Sequence, residues 1–222
     1  MTIAIVDYGS GNLRSAAKAF EQVANERTNT PQVCVTAEPD IVAAADHIVL
    51  PGVGSFADCR AGINAIPGML TALNESACVR GRPFLGICVG MQLMATTSLE
   101  NGQHRGFGWI TGVVRQLAPK PLEDDHLDGL ACRLPHMGWN QLLLDQPKQP
   151  ILHGLSDGDH VYFVHSYGFQ CDNSEDVLAH SDYGGTVVAA IGRDNLVGTQ
   201  FHPEKSQETG LRLISNFLRW RP

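Results

Sequence analysis

Apolar residues along this chain come in two rhythms. Thr2 to Val6 is a continuous β-branched run, the pattern of a strand buried on both faces. From Leu13 to Val23 the apolar positions are Leu13, Ala16, Ala17, Phe20 and Val23, which form one helical stripe. Gln32 to Val35 and His47 to Leu50 read as strands, and Ala57 to Ile66 and Gly68 to Val79 as helices. Pro83 to Ile87 then reads as a strand and Val89 to Thr97 as a helix. Strands alternating with helices predict a parallel sheet with crossover helices.

Beyond that point strand-like runs follow one another. They are Gly112 to Leu117, Trp139 to Leu144, His160 to Val164, Thr186 to Ile191 and Leu196 to Phe201. Few helical intervals separate them, so antiparallel pairs are expected to join the sheet. Asp194-Asn195 reads as a hairpin turn, and Leu211 to Trp220 as a closing amphipathic helix. The polar stretch 24–32 and the acidic, Pro-rich stretch 118–129 are expected to be surface loops. No linker separates two halves. Residues 1–222 are therefore expected to form one α/β domain, a three-layer sandwich with a mixed, centrally parallel sheet.

Composition narrows the function. The net charge of -7 over 222 residues disfavours nucleic acid as a partner. No apolar run approaches the ~20 residues of a membrane-spanning helix. Met1 to Asp7 has neither the basic region nor the cleavage site of a signal peptide. The six cysteines form no C-x-x-C pair, which points to a reducing cytoplasm and leaves thiols free for chemistry.

The sharpest candidate chemistry lies in Phe84 to Gln92. A buried strand runs into a helix with Cys88 at the junction, and Gly86 and Gly90 stand two residues to either side. This is a nucleophile elbow with Cys in place of Ser. The helix N-terminus favours a thiolate, and the Val89 N–H faces a developing oxyanion. The alternative is a buried core cysteine, the commoner fate of the residue. In Phe201-His202-Pro203-Glu204, proline holds the His202 step extended, so that Glu204 points with His202 and orients one ring nitrogen. Taken alone, that tripeptide also suits a solvated turn. In Leu50 to Phe56, Gly52 and Gly54 suggest a backbone that must approach a ligand or change conformation, and the N–H groups of Val53 and Gly54 can complete an oxyanion hole; an ordinary turn reads equally well. Gly9 to Arg14 opens like a dinucleotide fingerprint but lacks the third glycine, and no clustered Cys/His pattern suggests a metal. No cofactor or metal is expected.

Together these motifs, in this order, resemble the class I (triad-type) glutamine amidotransferase family over essentially the whole chain. The resemblance implies a flavodoxin-like fold and a glutaminase. Cys88 would attack the glutamine carboxamide, His202 would protonate the leaving ammonia, and Glu204 would orient His202. Gln92, Ser166 and Tyr167 would hold L-glutamine beside Gly52.

Asp7 to Leu13, Pro135 to Asn140, Tyr162 to Tyr167 and His202 to Ser206 resemble members whose acceptor chemistry sits on a separate chain. For these the resemblance implies a heterodimer with a (β/α)8-barrel cyclase docked over the active-site mouth. Asn12, Met137, Trp139, Asn140 and Lys205 would lie at or near that interface. Read without the resemblance, Asn12 and Lys205 are solvated loop and Met137 and Trp139 are core. The loop Pro51 to Gly54 is expected to act as a gate that turns an N–H toward the oxyanion when the partner is engaged. Two rivals stay open: the glutaminase of another synthase, such as that for pyridoxal phosphate or anthranilate, and a non-catalytic subunit of the same fold. Stretches 24–32 and 118–129, and Arg133-Leu134 before Pro135, depart from the family pattern.

Overall fold

The computed structural model describes residues 1–27, 30–120 and 133–222. Its first part alternates strand and helix. In order these are β1 (Thr2–Val6), α1 (Leu13–Asn25), β2 (Gln32–Thr36), α2 (Pro39–Ala44), β3 (His47–Gly52), α3 (Phe56–Ala65) and α4 (Met69–Asn74). Helix α4 widens into a π-turn at Glu75–Val79, and β4 (Phe84–Cys88) and the short helix α5 (Val89–Gln92) follow. The second part is mostly strand: β5 (Thr97–Ser98), β6 (His104–Arg105), β7 (Gly112–Gln116), β8 (His136–Gln141), β9 (Leu143–Leu144) and β10 (His160–His165). It continues with β11 (Tyr167–Cys171), β12 (Val177–Asp182), β13 (Thr186–Arg193) and β14 (Leu196–Thr199), and ends on α6 (Gln207–Arg219).

Eight strands form one sheet in the order β2-β1-β3-β4-β14-β13-β12-β9. The segment from β2 to β14 is parallel throughout, and β13, β12 and β9 add antiparallel. Helices α1 and α6 pack together, as do α2, α3 and α4. Every residue of β3 and β4 is buried, which is why both read as unbroken apolar runs. Phe20 of α1 and Phe217 of α6 meet edge to face, their centroids 6.3 Å apart. No described helix is long and apolar enough to cross a membrane.

Three expectations change. Helix α5 stops at Gln92 instead of running to Thr97. The Leu93, Thr96 and Ala95 carbonyls are taken by the N–H groups of Phe107 (2.7 Å), Gly106 (3.1 Å) and Gly108 (2.9 Å), so the chain turns away from helix. The run Trp139 to Leu144 divides, with β8 pairing to β10 in a separate two-stranded sheet and β9 joining the main one. Only part of the second half thus joins the main sheet; β11, β7, β5 and β6 form a sheet of their own. Stretch 24–32 begins in α1 and ends in β2, and its residues 28–29 lie outside the described residues, as do residues 121–129 of the expected acidic loop. The hairpin turn at Asp194-Asn195 joins β13 to β14, with Asp194 at φ 52°.

Candidate active site

The junction of β4 and α5 is built by close approach of backbones. Cys88 adopts φ 55° and ψ -111°, a strained conformation for a residue with a side chain. A Cβ on Gly90 would stand 1.8 Å from the Leu50 carbonyl oxygen, and one on Gly86 would stand 2.6 Å from the Gly90 carbonyl. Only glycine permits this turn, and the turn presents the Cys88 sulfur at the end of the strand.

His202 follows β14, the parallel neighbour of β4. Its backbone is extended, at φ -96° and ψ 99°, and its N–H donates to the Tyr162 carbonyl at 2.9 Å. Nδ1 lies 2.8 Å from Glu204 Oε1, and both side chains are buried. Glu204 reaches this position from the 3-10 turn Pro203–Lys205, not from the extended segment that the i, i+2 argument assumes. Nε2 of His202 is buried and, among the described residues, has no hydrogen-bond partner. Burial alone would push the imidazole down; the neighbouring Cys88 and Glu204 outweigh that and raise its pKa to about 9. At neutral pH the ring therefore holds a proton beside the sulfur.

A cavity of about 160 Å³ opens over Cys88, and Val53, Gly54, Val89, Gln92, Ser166, Tyr167 and His202 line it. Gly52 does not line it. It packs beneath, where a Cβ would meet the Gly90 nitrogen at 2.7 Å. The Val53 carbonyl accepts hydrogen bonds from Ser10 Oγ (2.5 Å) and Cys59 Sγ (3.4 Å), and Gly54 follows at φ 93°. These contacts fix one setting of the 52–54 loop.

The residues expected at an interface separate into two kinds. Met137 and Trp139 point outward, 64% and 47% exposed, and Trp139 meets Tyr162 edge to face. Lys205 sets its ammonium over the Tyr162 ring, 5.5 Å from the centroid. Asn12 stands at the start of α1 without capping it through its side chain. Asn140 is different, because it is half-buried and its amide is engaged by His136, the Asp182 carbonyl and the Gln141 N–H.

Four residues of this region carry no role in the sequence reading. Glu100 and His165 line the cavity, and Glu100 accepts the Phe56 N–H at 2.7 Å. His136 bonds to His165, and Gln200 reaches Cys88. His136 and His165 stand in quoted motifs, but nothing in their local sequence says that they touch. Among the described residues no group of three or more His, Cys, Asp or Glu could hold a metal ion.

A sheet of this order, with a cysteine elbow facing His202 and Glu204, places the molecule in a known class: the chain belongs to the class-I glutamine amidotransferase family, whose model matches residues 4–220. Over its full length it is 52% identical to the imidazole glycerol phosphate synthase subunit HisH of Brucella suis biovar 1, with 100% of both chains covered. The same subunit of Cereibacter sphaeroides is 54% identical, again over 100% of both chains. Among solved structures, a glutamine amidotransferase superposes with a TM-score of 0.69 at 16% identity, covering 97% of each chain. Another glutamine amidotransferase, from Thermotoga maritima, gives 0.64 at 15% identity, covering 94% of this chain and 78% of that one. At such identities these two speak for the fold.

Proposed function

We propose that this chain is the glutaminase subunit of an imidazole glycerol phosphate synthase, hydrolysing L-glutamine to glutamate and ammonia for a cyclase subunit. Full-length identities of 52% and 54% to subunits so named support the assignment. The observation that carries the chemistry is the meeting of the Cys88 elbow with the His202–Glu204 pair at one small cavity.

In this reading the Cys88 sulfur attacks the side-chain carboxamide carbon of glutamine. The negative oxygen of the tetrahedral intermediate is received by the Val89 N–H, with the N–H groups of Val53 and Gly54 completing the site. His202, oriented through Nδ1 by Glu204, gives its Nε2 proton to the leaving nitrogen, and ammonia departs from a glutamyl thioester. Water then attacks the thioester. His202 takes a proton from that water, glutamate leaves, and the thiol is restored. Gln92, Ser166 and Tyr167 hold the amino-acid end of the substrate.

The partner is a (β/α)8-barrel cyclase. It seats on the outward Met137 and Trp139, with Asn12 and Lys205 beside them, and forms a heterodimer. There ammonia is used to make imidazole glycerol phosphate and aminoimidazole carboxamide ribotide, the step that serves histidine biosynthesis in the cytoplasm. Ser10 and Cys59 hold the Val53 carbonyl until the engaged partner lets the loop turn an N–H toward the oxyanion. No cofactor takes part.

The test is Cys88→Ala, assayed with a cyclase of this kind and its acceptor substrate. Glutamine-dependent synthesis should vanish while synthesis from added ammonia persists. Retained glutamine-dependent synthesis would overturn the reading and favour a non-catalytic subunit.

A further inference from the structure

An oriented run of hydrogen bonds connects strand β8 to the Cys88 sulfur, and its direction is fixed at every link. The Asn140 amide is set by its backbone partners: Nδ2 donates to the Asp182 carbonyl (2.9 Å), and Oδ1 accepts from the Gln141 N–H (2.8 Å). Nδ2 therefore also donates to His136 Nε2, 3.2 Å away. At the other end, His165 Nδ1 faces the Tyr167 carbonyl at 2.9 Å, which only accepts. A neutral His165 thus keeps its proton on Nδ1 and offers Nε2 as an acceptor, so His136 Nδ1 donates across the 3.0 Å between the rings. Burial pushes both imidazoles down to about 4, so both are neutral at pH 7.

The run continues through the same carbonyl. Gln92 Nε2 donates to the Tyr167 oxygen and to Gln200 Oε1, each at 2.9 Å. That contact settles the Gln200 amide, whose Nε2 is left to donate to Cys88 Sγ at 3.6 Å. His136, His165, Gln92 and Gln200 are all buried. On β8, His136 lies inward while Met137 and Trp139 face out, so the run starts on the strand that presents the exposed rim.

We propose that His136 and His165 are positioning residues for the glutaminase reaction, acting through the Tyr167 carbonyl, Gln92 and Gln200 to hold a donor on the Cys88 sulfur. The inference rests on the glutaminase reading and deepens it. A donor fixed on the sulfur steadies the charge it carries before attack and recovers on departure. The two rings steady that donor, His165 from the cavity wall and His136 only through His165. His165 and Gln92 both donate to the Tyr167 carbonyl, so His136 acts by position: it holds His165, and with it the carbonyl on which Gln92 and then Gln200 are set.

The experiment has two arms. On the free chain, ring nitrogen-15 NMR at pH 7 should show His136 and His165 each protonated at Nδ1 alone. Finding either ring as the Nε2–H tautomer overturns the proposal. In the second arm, glutamine hydrolysis is measured with the cyclase partner and acceptor ligand for His136→Phe, Gln200→Met and the double variant. Phenylalanine keeps a ring stacked on Phe163 and Tyr183, which lie 4.5 and 4.0 Å from the His136 centroid, and removes both nitrogens. Each single variant should lower kcat about tenfold and leave KM within about twofold. The double variant should lose no more than the worse single one, because both cut the same run.

An unchanged kcat in folded His136→Phe, or losses that multiply in the double variant, would overturn the inference. If His136→Phe does not fold, His165→Asn takes its place under the same criteria. The two failures read differently. A wild-type chain inert toward glutamine overturns the glutaminase reading and this inference together, whereas an active wild type with an indifferent His136→Phe overturns the inference alone.

Discussion

The two walls of the cavity over Cys88 are made by different physics. The wall that carries Cys88 is steric: β3, β4 and α5 approach so closely that Gly86 and Gly90 have no room for a Cβ. The wall that carries His165 and Tyr167 is polar, its groups held by oriented hydrogen bonds between buried side chains and one carbonyl. The first kind of construction fails abruptly when an atom is added. The second can lose one bond and still stand, so its failures are graded and appear in rate before they appear in folding.

The largest expected effect breaks the steric wall. Gly90→Ala puts a methyl group 1.8 Å from the Leu50 oxygen and should destabilise the chain by about 4 kcal/mol or more, read by urea denaturation. A wild-type midpoint would show that the elbow is loosely built. Next comes Glu204→Gln, which keeps the shape of the 2.8 Å partner of His202 and removes its charge. Glutamine hydrolysis should fall about a hundredfold or more while ammonia-dependent synthesis stays unchanged. A loss of less than about threefold would mean that Glu204 does not orient the base.

The contrast also writes itself into the sequence unevenly. A backbone that must pass close by demands glycine at set distances from Cys88, so Gly86 and Gly90 announce the elbow in one dimension. The parallel strands are legible for a related reason, since burial on both faces leaves continuous apolar runs such as β1 and β4. The polar wall has no such code. Gln200 matters because Gln92 and Cys88 come to it from another strand and helix, and no local pattern in Thr199-Gln200-Phe201 carries that fact. Likewise, the apolar period after Val89 continues to Thr97, but distant residues 106–108 capture the carbonyls and end the helix. Strand β12 reads Val-Leu-Ala-His-Ser-Asp, too polar at its end to stand out, and is defined by pairing with β13.

Acid should sharpen the comparison. Burial holds His136 and His165 at about 4, below the ~6.5 of an unfolded chain. Between those values the unfolded state binds protons that the folded rings refuse, so stability falls as pH drops from about 6.5 toward 4. His136→Phe should flatten that fall by about one bound proton, measured as the pH slope of unfolding free energy. An identical slope would place the acid sensitivity elsewhere. His202 runs the other way: raised to about 9, it contributes stability below about 6.5 that is lost as pH climbs through 9.

The smallest effect concerns the loop between the walls. Ser10→Ala removes one donor from the Val53 carbonyl and should raise partner-free glutamine hydrolysis about threefold, by loosening the resting setting of the loop. No change, or a decrease, would show that Ser10 does not restrain it.

The most direct measurement is mass spectrometry of the partner-bound chain quenched during turnover of glutamine. The expected result is a glutamyl thioester on the peptide that contains Cys88, absent from Cys88→Ala. Steady glutamate release with no adduct at Cys88, undiminished in Cys88→Ala, would contradict the account.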